Sequence, residues 1–217
     1  MSKNVISNSV IRRLPRYYRF LGELEENGYI RISSRELSEK MGLTASQIRQ
    51  DFNCFGEFGQ QGYGYNVNEL RRQIGIILGL DKKTPLILLG AGNLGKAIAT
   101  HIDFSNRGFE LIGAFDVNPD IIGKQLGRII VKDTSELESF CTQNEPEAAV
   151  ICVPQETAEK EINRLIDYGI HAFWNFTHYD LSISHENVIV ENVHLGDSLT
   201  ILSYAINAEK EQENEDS

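Results

Sequence analysis

Gly90-Ala91-Gly92-Asn93-Leu94-Gly95 has the G-x-G-x-x-G spacing that lets a backbone turn lie against phosphate. In this pattern the first glycine permits a tight turn and the second admits a pyrophosphate to backbone N–H groups at a helix N-terminus. The third lets helix and strand pack closely. The spacing alone is weak. Its context is specific, because the apolar run 86–89 precedes it and a helical stretch from residue 93 follows. Asp116 ends the next strand-like run, where a carboxylate accepts hydrogen bonds from both adenosine ribose hydroxyls. It repels a 2′-phosphate, and Val117-Asn118 supplies no cation for one, so the pattern favours NAD(H) over NADP(H). The plain alternative for Asp116 is a strand-end turn residue.

A second set of residues has the chemistry of nucleic-acid contact. Thr44, Ser46, Gln47, Arg49 and Gln50 fall away from the apolar positions Ile48 and Phe52, so they can reach base edges or phosphates. Lys3, Arg12, Arg13, Arg16 and Arg19 all precede the first acid, Glu23, giving a concentrated basic start. Tyr63 sits where it can enter a minor groove. A solvated basic helix, or a helical domain that binds protein, would use the same residue types, and both readings stay open on these residues alone.

Elements must position both sets. Val10, Ile11, Leu14, Tyr17, Tyr18, Leu21 and Leu24 recur at three- and four-residue spacing, which marks a helix with one buried face. Pro15 places its regular start near Leu14, with a partly extended arm before it. Ser34 reads as the cap of a short helix that carries Leu37 and Met41 and stops at Gly42. Thr44 opens the next helix, with Gln47 three residues later in a capping pattern. Helix, glycine turn, helix is the helix-turn-helix signature. Glycines 56, 59, 62 and 64, alternating with Tyr63 and Tyr65, suggest a short hairpin or wing, and a plain loop serves nearly as well. Asn68 caps a further helix through residue 80, and the break at 81–85 marks a domain boundary.

Beyond Pro85 the pattern changes to strands at 86–89, 110–115, 148–153, 172–176 and 188–193, with helical stretches at 93–106 and 157–168. Strand, glycine turn, helix, strand is a βαβ unit, and the series predicts a doubly wound parallel sheet. The reading is therefore an α/β chain: an N-terminal winged helix-turn-helix domain (1–80), a Rossmann domain (85–195), a last helix (196–208) and a disordered acidic tail (209–217).

Charge agrees with this division. The chain carries a net −10, yet residues 1–80 hold 11 Lys and Arg against 8 Asp and Glu, and the remainder 10 against 23. Only the first third favours phosphate. No apolar run approaches the roughly 18 residues of a membrane helix, and the polar start lacks a secretory core, so a cytoplasmic location is expected. Three cysteines without a CxxC pair argue against a disulfide framework or zinc site. Cys152 reads as a core thiol, and Cys54 as the cysteine nearest the DNA-facing helix. His171, His178 and His185 show no ligand spacing, so no metal is expected, and Trp174 reads as core.

The whole chain resembles the Rex family of redox-sensing bacterial transcriptional repressors. The match is carried by Arg13-Leu14-Pro15-Arg16-Tyr17-Tyr18-Arg19 (first-helix signature), Gln47-Ile48-Arg49-Gln50-Asp51-Phe52 (recognition helix) and Gly62-Tyr63-Gly64-Tyr65-Asn66-Val67 (wing). Asn175-Phe176 and the 190–204 segment extend it through the second domain. The resemblance implies that Tyr17 and Tyr18 join the DNA-facing set, and that Pro154, Asn175 and Phe176 join Gly90–Gly95, Asp116 and Val117 at the cofactor. It implies a homodimer on double-stranded operator DNA, with a swapped C-terminal helix, and NAD(H) as regulatory ligand. NADH binding would release the operator, and NAD⁺ would compete without that effect. It implies no catalytic residues.

The chain departs from the family pattern at two places. Gln50 and Gln60 stand where many relatives carry Lys or Arg, which predicts a flatter salt dependence of DNA binding. His101 and His194 stand where the family places a tyrosine and an aspartate that meet in the reduced-cofactor state, and two histidines cannot make that hydrogen bond in the same form. Asp197 lies close enough to substitute. Two other functions remain: a redox-insensitive DNA binder, and an NAD-dependent dehydrogenase, for which only residues 154–208 would be left to build a substrate domain.

Overall fold

Leu14, Tyr17, Leu21 and Leu24 are buried as one helix face, and the first core forms around them. The computed structural model describes residues 6–55 and 63–215. It divides into two units, Met1–Lys82 and Lys83–Ser217.

Unit 1 comprises α1 (Asn8–Ile11), α2 (Leu14–Glu26), β1 (Arg31–Ile32), α3 (Ser34–Met41), α4 (Ala45–Asn53), β2 (Tyr65–Asn66) and α5 (Val67–Ile77). Leu37 and Met41 of α3, Ile48 and Phe52 of α4, and Val67, Leu70 and Ile74 of α5 close on the α2 face. Phe52 takes the centre, edge-on to Tyr17 at 4.9 Å and to Tyr65 at 5.1 Å. Thr44 caps α4 by accepting from the Gln47 N–H at 3.1 Å.

Several local expectations are corrected. The cap of α3 is Ser33 rather than Ser34: Ser33 and Glu36 form a reciprocal capping box, which Ser34 cannot complete. The cap of α5 is Asn66 rather than Asn68, because pairing in β2 holds Asn66 extended while its side chain accepts from Glu69 N–H. The arm before α2 holds one helical turn, α1, since Pro15 in the first turn of α2 gives up only an N–H that needs no partner. Strand β2 pairs antiparallel with β1, so its partner lies far back in the chain. Gly56, Gly59, Gln60 and Gly62 of the expected wing lie outside the described residues, and so does Lys3.

Unit 2 comprises β3 (Thr84–Leu89), α6 (Asn93–His101), β4 (Phe109–Asp116), β5 (Gln125–Leu126), β6 (Ile129–Asp133), α7 (Leu137–Asn144), β7 (Ala148–Ile151), α8 (Gln155–Asp167), β8 (Ala172–Asn175), α9 (Leu181–Ser184), β9 (Ile189–Asn192) and α10 (Leu195–Glu215). The sheet order is β5-β6-β4-β3-β7-β8-β9. All pairings are parallel except β5 with β6 at the edge. From β3 the chain winds outward to β4 and β6, then returns to the other side of β3 for β7. That reversal opens a crevice at the carboxyl ends of β3 and β7, where doubly wound sheets bind ligands.

The expected disordered tail is also corrected. Helix α10 runs to Glu215, because Ala208-Glu209-Lys210-Glu211-Gln212 are good helix formers with no glycine or proline to stop them.

Candidate functional sites

The glycine turn follows β3 at that crevice. Gly90 has φ +90°, and a Cβ there would lie 2.6 Å from the Cys152 carbonyl oxygen. A Cβ on Gly95 would lie 1.9 Å from the Gly90 carbonyl oxygen, so α6 can approach the turn only with glycine at that position. Gly92 differs: an added Cβ would meet nothing within 4 Å. Its missing side chain leaves room that the protein itself does not use. Gly92 is also the N-cap of α6, and no side chain caps that end, so the first-turn N–H groups are free for an anion.

A cavity of about 540 Å³ opens from this turn, lined by Gly90, Gly92, Asp116, Val117 and Pro154 from the expected set. Ala91, Asn93, Leu94 and Gly95 shape the turn without lining the cavity. Asp116 ends β4, next to β3 in the sheet. Its Oδ2 accepts from the Ala91 N–H at 2.7 Å and its Oδ1 from the Asn118 N–H at 2.9 Å. The carboxylate is therefore fixed beside the glycine turn, with lone pairs left for further donors. Lining residues that the sequence reading missed include Ile121, Thr134, Thr157 and Glu161, brought in from separate elements. Cys152 also lines it, and burial pushes its thiol up to about 12, so it is a poor nucleophile.

Asn175 is corrected. It is fully buried, and every polar position on its amide is used: Nδ2 donates to the Tyr179 carbonyl and to Asn192 Oδ1, while Oδ1 accepts from Thr177 N–H and hydroxyl. It locks the turn after β8 and has no group left for a ligand. Phe176 packs on Trp174 at 4.7 Å in the core layer below.

In unit 1 the candidate surface centres on α4. Ser46, Arg49 and Gln50 are exposed, as is Thr44 at its cap. Arg49 reaches the Ser34 hydroxyl at 3.0 Å, linking α4 to α3. Arg12 and Arg16 are exposed on the preceding segment, with Arg16 anchored to the Met41 carbonyl. Tyr63 is 69% exposed and its carbonyl accepts from Arg31.

Arg13, Tyr17 and Gln47 of the expected set turn inward instead, toward Asp51 of α4. Asp51 is fully buried and accepts four hydrogen bonds. Two come from Arg13, Nε to Oδ2 and Nη2 to Oδ1, each at 2.7 Å; Tyr17 OH reaches Oδ2 and Gln47 Nε2 reaches Oδ1, each at 2.8 Å. Burial opposes the charge on Asp51, but these donors hold its carboxyl below the usual carboxylate range. The Tyr17 hydroxyl is raised by burial and by its bond to Asp51. Tyr17 is thus core and not DNA-facing, because the same helical period that buries Leu14 and Leu21 buries it. Arg13 and Tyr17 clamp α4 to the start of α2 through Asp51, while Gln47, on α4 itself, braces the carboxylate from within its own helix. Tyr18 lies half-buried under the Arg71 guanidinium, 4.9 Å from ring centre to cation. Asp51 was visible in the sequence only as part of the α4 signature, since its partner Arg13 lies 38 residues away.

His101 ends α6 and is exposed. The ring that stacks on His194 belongs to His178, with centroids 5.4 Å apart, and His194 Nδ1 lies 3.3 Å from Asp197 Oδ2. The Nε2 of His194 is buried with no partner among the described residues. Helix α10 follows directly. Its Leu195, Leu199, Leu202 and Ile206 form one stripe, and all are exposed, from 44% to 68%. No described helix is long and apolar enough to cross a membrane, and no cluster of metal ligands occurs among the described residues.

Comparison with known proteins finds two family models: "Putative DNA-binding protein N-terminus" over residues 5–53 and "CoA binding domain" over residues 81–179. A redox-sensing transcriptional repressor Rex from Thermoanaerobacter sp. (strain X514) is 52% identical over 208 residues, spanning 96% of this chain and 92% of the relative. One from Clostridium perfringens (strain SM101 / Type A) is 51% identical, spanning 94% and 96%. Among solved structures, RSP in complex with β-NAD⁺ and operator DNA aligns with a TM-score of 0.90 at 51% identity, covering 97% of both chains. RSP in complex with β-NADH aligns at 0.87 and 48% identity, covering 97% and 99%.

Proposed function

This chain belongs to the Rex family of redox-sensing transcriptional repressors, and from that premise we propose that it is itself a repressor. It binds operator DNA through unit 1 and NAD(H) through unit 2, with the dinucleotide controlling DNA occupancy. The observation that carries this reading is the pairing of an uncapped α6 N-terminus with a carboxylate fixed beside it on β4. The first suits a pyrophosphate and the second a ribose diol. Gly92–Leu94 backbone would hold the pyrophosphate, and Asp116 the adenosine ribose. A 2′-phosphate, or the ribose 3′-phosphate of coenzyme A, would meet Asp116 with no lysine or arginine among the described residues that line the cavity, so neither NADP(H) nor coenzyme A fits as well. When bound, the cofactor supplies a nicotinamide ring that is cationic when oxidised and neutral when reduced.

On DNA, α4 is the recognition helix, with Ser46, Arg49 and Gln50 toward the bases and phosphates and Thr44, Arg12 and Arg16 toward the backbone. Tyr63 reaches the adjacent groove. Arg13 and Tyr17 act indirectly, through Asp51, by fixing the angle of α4, and Gln47 holds the Asp51 carboxylate in place for them. The exposed stripe of α10 is covered by a second copy of the chain, making a homodimer whose two recognition helices read a palindrome. The related structures contain β-NAD⁺ with operator DNA in one case and β-NADH in another. That pairing supports a switch in which NADH favours a conformation that has left the operator. We assign no catalytic residue, and the site of action is the cytoplasm, where the operator is.

His101, His194 and Asp197 are the switch candidates. A redox-insensitive repressor is the second reading, favoured by His194 being stacked on His178 and joined to Asp197, so that its ring is already engaged. Titrating a labelled palindromic operator with NADH, and separately with NAD⁺ at fixed salt, tests both. Release by NADH alone supports the redox switch, and equal binding throughout selects the second reading. Failure to bind any operator refutes the repressor.

A further inference from the structure

Glu161 lies on α8 and lines the same cavity as Gly92 and Asp116, yet no part of the glycine fingerprint calls for it. Its side chain is only 12% exposed. Arg164 Nη1 donates to Oε2 at 2.7 Å, and Nη2 of the same guanidinium donates to the Thr134 carbonyl at 3.2 Å. Thr134 itself lines the cavity at the end of β6. The carboxylate is thus braced from behind, and no described residue hydrogen-bonds Oε1.

Strand order says which part of a ligand comes here. The glycine turn ends β3, Asp116 ends its neighbour β4, and Thr134 follows β6, the strand beyond β4. A dinucleotide half laid with its pyrophosphate on the glycine turn and its ribose on Asp116 carries its base onward to Thr134 and Glu161. This step rests on the NAD(H) reading above.

We infer that Glu161 reads the base, accepting a hydrogen bond from the exocyclic amino group of adenine, and so selects adenine over purines with an oxygen at that position. Adenine offers N–H donors at its amino group, whereas hypoxanthine places a carbonyl oxygen there. An acceptor facing a carboxylate oxygen is unpaired and repelled. Loss of one hydrogen bond to a charged group corresponds to about tenfold to a hundredfold in affinity. Held by Arg164, the carboxylate has little freedom to turn away from the mismatched base.

The test measures the affinities of NADH and reduced nicotinamide hypoxanthine dinucleotide for the full chain by calorimetry, with the wild type, E161Q and E161A. The expected result is a wild-type preference for NADH of about tenfold or more. E161A should lose that preference by weakening NADH binding, with the hypoxanthine analogue little changed. E161Q gives Arg164 its amide oxygen and turns its amino group to the base, so it should lose the preference for NADH or reverse it toward the hypoxanthine dinucleotide. E161Q remains decisive should E161A fail to fold. Tight but equal binding of both dinucleotides by the wild type overturns the role of Glu161 and leaves the NAD(H) site standing. A preference that persists in E161Q likewise overturns it. Binding of neither dinucleotide overturns the NAD(H) reading itself.

Discussion

Replacing Asp51 with asparagine should destabilise the DNA-binding unit while leaving the dinucleotide unit alone. Each carboxylate oxygen accepts two donors, Oδ2 from Arg13 Nε and Tyr17 OH, and Oδ1 from Arg13 Nη2 and Gln47 Nε2. Asparagine keeps one oxygen and turns the other into an amino group, so two of the four donors lose their acceptor and face a donor instead. Breaking one side of a buried ion pair costs about 3–5 kcal/mol. Arg13 is 27% exposed, so water recovers part of this. That leaves about 2–3 kcal/mol, or about 10–20 °C in the melting temperature of a domain this size. Urea unfolding followed by circular dichroism reads both units. The fluorescence of Trp174, the single tryptophan, reads unit 2. Y17F should cost about 1–2 kcal/mol in the wild type but under about 0.5 kcal/mol in D51N, because the hydroxyl has lost its charged partner. Acid adds a signature. Asp51 has a folded value depressed below its ordinary 3.8, so its contribution is complete above that value and fades as pH falls through the folded value. D51N should lack this acid-dependent loss. A D51N protein as stable as wild type, or Y17F and D51N costs that simply add, would refute the clamp.

Gly92→Ala and Gly95→Ala should separate ligand contact from folding. Melting should be unchanged in G92A, where nothing lies within 4 Å, while NADH affinity falls at least about tenfold; G95A should lower both, because its Cβ would collide with the Gly90 carbonyl. Asp116→Ala should weaken NADH binding and narrow the NADH-over-NADPH preference about tenfold, checked by parallel calorimetric titrations. Arg49→Ala should weaken operator binding and reduce the salt slope of the binding constant by about one counterion, measured by fluorescence anisotropy from low to moderate salt.

What could be read from the sequence was chemistry confined to consecutive residues. The glycine turn needs only its own backbone and the adjoining helix, and its features coincide in one six-residue stretch. The Thr44 cap was legible for the same reason. Choosing between Ser33 and Ser34, or Asn66 and Asn68, required backbone angles that the strand pair and capping box impose. Asp51, Asn175 and Glu161 were harder, because each acts through partners supplied by other elements. Tyr17 is instructive. Apolar periodicity put it inside, family resemblance put it on the DNA, and the structure follows the periodicity. Neighbours in a signature motif need not share its function, since adjacent helical positions point about 100° apart.

Helix α10 is 21 residues and about 30 Å long, and leaves its leucine stripe open to solvent. A second copy that covers the stripe makes mass action part of the fold: stability and operator affinity both rise with protein concentration. Melting temperature should then climb on concentrating the protein. In a cell making few copies, an operator would lose its repressor to dissociation of the protomers before any cofactor changed its redox state. Control over how much of this chain is made would therefore set the threshold at which a redox signal is read.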